Sequence, residues 1–329
     1  MKMLSHSSVL RSSCWGVLFR RSVLSRHYST TQPSSIVEVL GKTYPTDNIT
    51  NITPAIISKL TKRLYAQPAH PICTLKNLIE SHFPRYSHLS SLSPVVTTKQ
   101  NFDDLSFPQD HPGRSVTDTY YINKELLLRT HTSAHEVEVF AQEHSKWLLT
   151  ADVYRRDEID ASHYPAFHQM EGACLFPADS SGSAQLAEEN EAYRAAMAQE
   201  NIVMEDETII DSENPFQGMH DPQQASLVVE NLKHSLNSLL LKLFSKAAGV
   251  SATNPLRVRW ITAYFPFTSP SYEVEVFYQG KWLEILGCGV VLQATLDKAS
   301  TCAILNFDQC LTLFPQTFQI KLGGPLVWV

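Results

Sequence analysis

The sequence predicts an α+β fold, an antiparallel β-sheet flanked by helices, and three stretches carry that prediction. Residues 153–172, VYRRDEIDASHYPAFHQMEG, read as strand, polar loop and strand. Residues 272–286 read as a hairpin about Gln279-Gly280, a dipeptide suited to a tight turn. Between them, Asp221-Pro222 opens a long helix with Leu227, Val228, Leu232, Leu236, Leu239, Leu240, Leu243 and Phe244 at helical spacing, stopped by Gly249. At 329 residues the chain can bury one sizeable core with a smaller appendage.

In the first pair, Tyr154-Arg155-Arg156 ends one strand, and the loop closes at Pro165, which cannot continue a helix. The returning strand alternates. Phe167, Gln169 and Glu171 share one face, and Ala166, His168 and Met170 share the other. An aromatic, an amide and a carboxylate in a row, beside a strand ending in arginine, suit a surface that holds a flat ring, a phosphate and an ammonium together.

From the beginning, residues 1–28 contain Lys2, Arg11, Arg20, Arg21 and Arg26, many serines and no acid, the first being Glu38. No apolar run there is long enough to span a bilayer. This composition predicts an organellar transit peptide, with a processing point just after Tyr28. The chain carries 27 basic and 33 acidic residues, and residues 178–221 alone hold eleven acids and one base. With the leader and that acidic stretch set aside, the body is close to neutral. Charge therefore neither supports nor excludes a nucleic-acid partner. Six scattered cysteines without C-x-x-C spacing predict reduced thiols, not a zinc site or a disulfide framework.

Residues 29–100 form a lead-in. Thr53-Pro54 is an N-cap followed by a first-turn proline, with Ile56, Ile57, Leu60 and Leu64 on one helical face. Residues 75–83 repeat the pattern more weakly. The proline-held loop 102–114 includes Asp110-His111-Pro112. A helix is expected from Thr130-His131-Thr132-Ser133, carrying Val137, Phe140, Ala141, His144, Trp147 and Leu148 on one face. Ser133 and Glu136 have the spacing of a capping box. The polar stretch 178–221 is expected to be solvated, partly helical around 186–199, or disordered.

In the hairpin, a two-residue loop sets Phe277 opposite Trp282 and Glu275 opposite Glu284. Like charges directly opposite are destabilising, so unless one carboxylate protonates or points to solvent a cation is expected between them. A reading as a metal hydrolase on His163, His168 and Glu171 is weak, because alternation puts His168 and Glu171 on opposite faces.

Residues 153–172 resemble motif 2 of the class II aminoacyl-tRNA synthetases, in the form found in phenylalanyl-tRNA synthetase. Three further blocks agree in order: FDDLSFPQDHPGR leading to DTYY, LLLRTHTSAHE, and RWITAYFPFTSPSYEVEVFYQGKWLEILGCGV. The single-chain organellar type is the nearest resemblance, over roughly residues 36–291. It implies a catalytic domain at 101–291, interrupted by the acidic insertion 178–221. It also implies ATP-dependent activation of phenylalanine and transfer to tRNA(Phe) in the mitochondrial matrix, by a monomer with no membrane association.

By the same resemblance, phenylalanine is held by His131, Ser133, Ala134, His135, Glu136, Gln169 and Glu171, with Phe265 and Phe267 lining the pocket for its ring. Glu136 stands where the family usually has Gln. ATP is held by Arg155, Asp157, Ser162, His163, Tyr164, Phe167 and Glu284. Arg155 is the catalytic residue at the α-phosphate, Phe167 stacks on adenine, and Asp157 replaces a customary Glu. Glu275 and Glu284 are the candidate Mg²⁺ ligands.

The resemblance stops near Leu292, where the family continues into motif 3, a glycine-rich strand and helix bearing an arginine, and then into a ferredoxin-like anticodon-binding domain. Residues 292–329 instead resemble a frame change, an unspliced intron or an alternative terminal exon, with apolar runs expected to pair as edge strands or aggregate. An incomplete core is the expectation. The alternative function is a catalytically impaired product that binds phenylalanine or adenosine without completing activation.

Overall fold

The computed structural model describes residues 35–156, 159, 164–302 and 313–322. The expected transit peptide, and Asp157, Ser162 and His163 of the polar loop, lie outside these residues. Along the chain, strands β1 (Ile36–Val39) and β2 (Lys42–Pro45) pair as a small hairpin before helices α1 (Pro54–Ile57) and α2 (Pro71–His82). Strands β3 (Ser87–Leu89), β4 (Val95–Thr97) and β5 (Leu126–Leu128) follow, with β4 and β5 paired antiparallel. Then come helix α3 (Glu136–Phe140), strands β6 (Lys146–Tyr154) and β7 (Ala166–Pro177), helix α4 (Ser180–Met197), strand β8 (Ile202–Asp206) and helix α5 (Pro222–Phe244). Strands β9 (Leu256–Thr262), β10 (Thr268–Tyr278) and β11 (Lys281–Val291), helix α6 (Gln293–Cys302) and strand β12 (Leu313–Leu322) complete the order.

Eight strands form the main sheet, in the order β3-β6-β7-β12-β11-β10-β9-β8. It is antiparallel apart from the β3–β6 and β8–β9 pairs at its two ends. One face is the core. Helix α5 lays Leu232, Leu236, Leu239, Leu240 and Phe244 against Met170, Trp260, Tyr272, Val274, Leu286 and Cys288. Each such leucine contributes about 1.5–3 kcal/mol by leaving water. The helix begins as its sequence dictates: Pro222 occupies the first turn and the Asp221 carboxylate accepts the Gln224 N–H at 2.8 Å.

Cross-strand partners share a face, so register identifies what lies opposite the core. Glu171 pairs with Gln319, which pairs with Gly287, which pairs with Glu273. Phe167, Gln169 and Glu171 of β7 therefore look out on the same side as Glu273 and Glu275 of β10.

Four expectations are corrected. The helix expected to run past Leu148 stops at Phe140, because Glu143 takes a left-handed φ of 62° and the chain turns into β6. Trp147 and Leu148 lie in that strand, buried with all nine of its residues paired to β7. Next, the acidic stretch is helical, as expected around 186–199, but it is not wholly solvated: α4 packs on α5 through Leu186 and Asn190, and β8 extends the sheet in parallel beside β9. Finally, β12 is not an edge strand but lies between β7 and β11, bonded to both, where its backbone groups are satisfied on each side. The first lead-in helix is also shorter than its pattern: Thr53 caps it at the Ile56 N–H, but it closes at Ile57, and Leu60 packs from the following turn.

Among the described residues no helix is long and apolar enough to cross a membrane. Cys73, Cys174 and Cys288 are free and buried, and burial pushes the Cys174 thiol up to about 11.

Candidate functional site

The open face of the sheet is bounded by the segment 130–136, which β7 draws into place. The Ser133 hydroxyl donates to Glu171 Oε1 at 3.1 Å, and the Thr132 N–H donates to Gln169 Oε1 at 3.3 Å. Ser133 is therefore not a helix cap. It lies inside a 3₁₀ turn, and α3 begins after it with no side-chain cap. The capping-box spacing is overridden by a tertiary contact: Glu171 is fully buried, and a buried carboxylate without donors costs several kcal/mol. Glu136 is fully buried as well.

Asn101 braces the start of this segment. Its Oδ1 accepts the Thr130 N–H at 3.0 Å and its Nδ2 donates to Thr130 Oγ1 at 2.9 Å. Next along, the His131 ring is stacked on Phe107 at 5.5 Å with 3° between planes, and on Phe267 at 6.3 Å. Phe267 in turn stacks on Phe265 at 6.0 Å. The two phenylalanines predicted around Pro266 thus form one wall with His131. Phe107 joins it, a residue that sequence reasoning missed and whose only signal was its place in the FDDLSFPQDHPGR block.

Among the described residues neither ring nitrogen of His131 meets a hydrogen-bond partner. Burial, with Arg155 next in weight, holds its pKa down to about 3, and only the Asn101 backbone acts the other way. The imidazole is neutral and its nitrogens are available to a ligand. Gly287 lies beneath the wall, where a Cβ would sit 2.6 Å from Phe265 Cζ and displace that ring.

Arg155 follows β6. Its Nε donates to the Thr130 carbonyl at 3.0 Å, its N–H donates to the Pro165 carbonyl at 3.1 Å, and its guanidinium lies 5.2 Å from the Phe167 ring centroid. One cation, one aromatic face and the His131 wall are therefore fixed to adjacent residues.

On β10 and β11, Glu275 faces Glu284 and Phe277 faces Trp282, and both Gln279 and Gly280 take positive φ, at 51° and 83°. The expected cation is Arg259, paired opposite Glu275 on β9, whose Nε donates to Glu275 Oε2 at 2.7 Å. Glu275, expected with Glu284 as a metal ligand, is thereby engaged by a side chain at Oε2. Periodicity could not show this, because the arginine comes from a third strand. Glu284 is exposed, and burial with Glu284 and Glu275 nearby raises the pKa of Glu273. Among the described residues no three His, Cys, Asp or Glu side chains form a metal-binding group.

Other predicted residues are taken up by the fold. Ala134 packs with Phe102, Tyr121 and Leu127. The His135 ring contacts Arg129 Nη1 and Glu138 Oε2, each at 3.0 Å. Tyr164 is exposed, with its hydroxyl against Lys59 Nζ. His168 lies on the core side, 2.5 Å from Asp152 Oδ1 and edge-on to Tyr65, which removes the geometry a metal hydrolase would need.

A family profile described as "tRNA synthetases class II core domain (F)" matches residues 56–178 and 219–307, leaving all but the ends of the acidic stretch outside the match. The chain is 40% identical over 309 residues to the mitochondrial phenylalanine–tRNA ligase of Saccharomyces cerevisiae, covering 85% of this chain and 66% of that protein. It is 38% identical over 277 residues to the mitochondrial ligase of Mus musculus, covering 81% and 57%. The chloroplastic/mitochondrial ligase of Arabidopsis thaliana is 39% identical over 259 residues, covering 77% and 50%. The chain thus spans between half and two thirds of the length of these curated relatives.

Proposed function

This chain belongs to the class II tRNA synthetase core-domain family of the F type, and from that premise we propose that it activates phenylalanine with ATP and passes it to tRNA(Phe) in the mitochondrial matrix. The observation that carries the proposal is the junction at residues 130–133. There a neutral histidine on a phenylalanine wall, a serine bonded to a buried glutamate and an arginine over an aromatic ring converge. The mitochondrial assignment rests on the names of the relatives.

In the proposed reaction the carboxylate of phenylalanine attacks the α-phosphorus of ATP and pyrophosphate leaves. The terminal ribose 2′-hydroxyl of the tRNA then takes the aminoacyl group. Little covalent chemistry falls to the protein; position and charge do the catalysis. His131, Ser133, Gln169 and Glu171 orient the ammonium group, and Phe265, Phe267 and Phe107 select the phenyl ring by shape. Arg155 neutralises charge developing on the α-phosphate through a charge-assisted hydrogen bond, and Phe167 stacks on adenine. A Mg²⁺ ion bound with the nucleotide would supply charge neutralisation at its phosphates, and carboxylates of this face would hold it. Glu284 and Glu273 are the oxygen ligands on that face left free of Arg259, and oxygen donors suit this cation.

Phenylalanine-dependent exchange of pyrophosphate into ATP tests the reading. Turnover with phenylalanine is expected; saturable phenylalanine binding without exchange would overturn it in favour of a non-catalytic binding protein.

A further inference from the structure

Behind the sheet, on the side away from the site just described, the β1–β2 hairpin, the turn after α1 and the β3–β4 connection enclose a cavity of about 420 Å³. Nothing in the proposed reaction uses it. Three cations line it, Lys42, Arg63 and Arg129, against one carboxylate, Asp152. The Oδ1 of that carboxylate lies 2.5 Å from His168 Nδ1, so the cations outnumber the anion in the lining three to one.

Arg129 is the unusual member, a guanidinium only 2% exposed. Its Nε donates to the Asp152 carbonyl at 2.6 Å, and its Nη1 donates to the Leu92 and Ser93 carbonyls at 3.0 and 3.1 Å while contacting His135. Among the described residues its Nη2 has no hydrogen-bond partner, and no carboxylate forms an ion pair with the group. A guanidinium nitrogen of so buried a side chain, left to the cavity for its hydrogen bonds, suits an acceptor there. At the mouth, Arg63 takes a left-handed φ of 39°, a conformation L-residues avoid, and Tyr65 and the Ser90 carbonyl fix its Nε and Nη2. Neither Arg63 nor Lys42 forms an ion pair among the described residues. The rest of the lining is mixed, with Val39, Leu60, Val95 and Tyr44 forming an apolar and aromatic part and Thr61, Ser90, Ser91 and Ser93 a hydroxyl-bearing part.

From this arrangement we infer that the cavity is a binding site for a small phosphorylated organic anion, its phosphate set among Arg129, Arg63 and Lys42 and its body against the apolar wall. Phosphate suits the cations because it accepts several charge-assisted hydrogen bonds at once. An organic body suits the volume, which falls within the range of small-molecule sites and exceeds what a bare phosphate fills.

Isothermal titration of the full chain with ribose 5-phosphate tests this. Saturable binding is expected, weakened about tenfold or more by Arg63→Gln and by Lys42→Gln and unchanged by Arg155→Gln on the other face. Inorganic phosphate is expected to bind more weakly than ribose 5-phosphate, and ribose not at all. Absence of saturable binding overturns the assignment. So does binding that Arg155→Gln abolishes while Arg63→Gln and Lys42→Gln leave it intact, and so does inorganic phosphate binding as tightly as the sugar phosphate.

Discussion

Arg155 and Thr130 are joined by a 3.0 Å hydrogen bond from the guanidinium Nε to the carbonyl, one residue before the imidazole of His131. The bond ties the end of β6 to the segment carrying the aromatic wall, so the proposed phosphate-holding and amino-acid-holding groups are set by one contact. Arg155→Gln is expected to lower pyrophosphate exchange by about 10²–10³-fold, the usual effect of removing one preorganised donor. Equilibrium binding of phenylalanine alone should change little. An equal loss of both would show that Arg155 supports the pocket and not the reaction.

Ser133→Ala removes a donor from Glu171, whose carboxylate has no exposure to water. The variant is expected to lose about 1–3 kcal/mol of stability in urea denaturation and to bind phenylalanine more weakly. Ser133→Thr keeps the hydroxyl and should recover most of both.

The pH dependence follows from His131. Its pKa of about 3 in the folded chain lies below the 6.5 of an unperturbed histidine, so the unfolded chain binds the extra proton first. Stability from this group is present above pH 6.5 and is lost as pH falls toward 3. His82, depressed to about 4 by burial and then by Lys242, has the same sign. His131→Asn should flatten the measured slope of unfolding free energy between pH 6 and 4, while phenylalanine binding in the wild type stays level from pH 6 to pH 8, where the ring remains neutral.

Gly287→Ala places a methyl where Phe265 Cζ now lies, 2.6 Å away. The obstacle is the tip of a side chain, so the ring moves and the fold survives. The expected result is a raised KM for phenylalanine with little change in denaturation midpoint; an unchanged KM would remove Phe265 from the pocket.

Arg259→Ala leaves Glu275 facing Glu284 with no guanidinium between strands. A cost of about 1–3 kcal/mol is expected, in line with a charged hydrogen bond in a half-buried place. Because the cost comes from uncompensated charge, Glu275→Gln in the same chain should restore part of it. The double-mutant cycle measures the coupling directly.

Much of this was legible along the chain because it depends on neighbours in sequence. The Thr53 and Asp221 caps follow from side chains next to prolines, and the facing of Glu275 and Glu284 follows from a two-residue turn. The face shared by Phe167, Gln169 and Glu171 follows from the period of a strand. What lay beyond that reading came from contacts between distant segments. Ser133 has the spacing of a cap, yet a buried carboxylate 38 residues away claims its hydroxyl. Trp147 and Leu148 fit a helical stripe, yet pairing along the full length of β7 outweighs so short a helix. Local pattern sets which conformations each segment favours; long-range pairing and the cost of burying unmatched charge choose among them, and that choice paired Arg259 with Glu275 and set β12 inside the sheet.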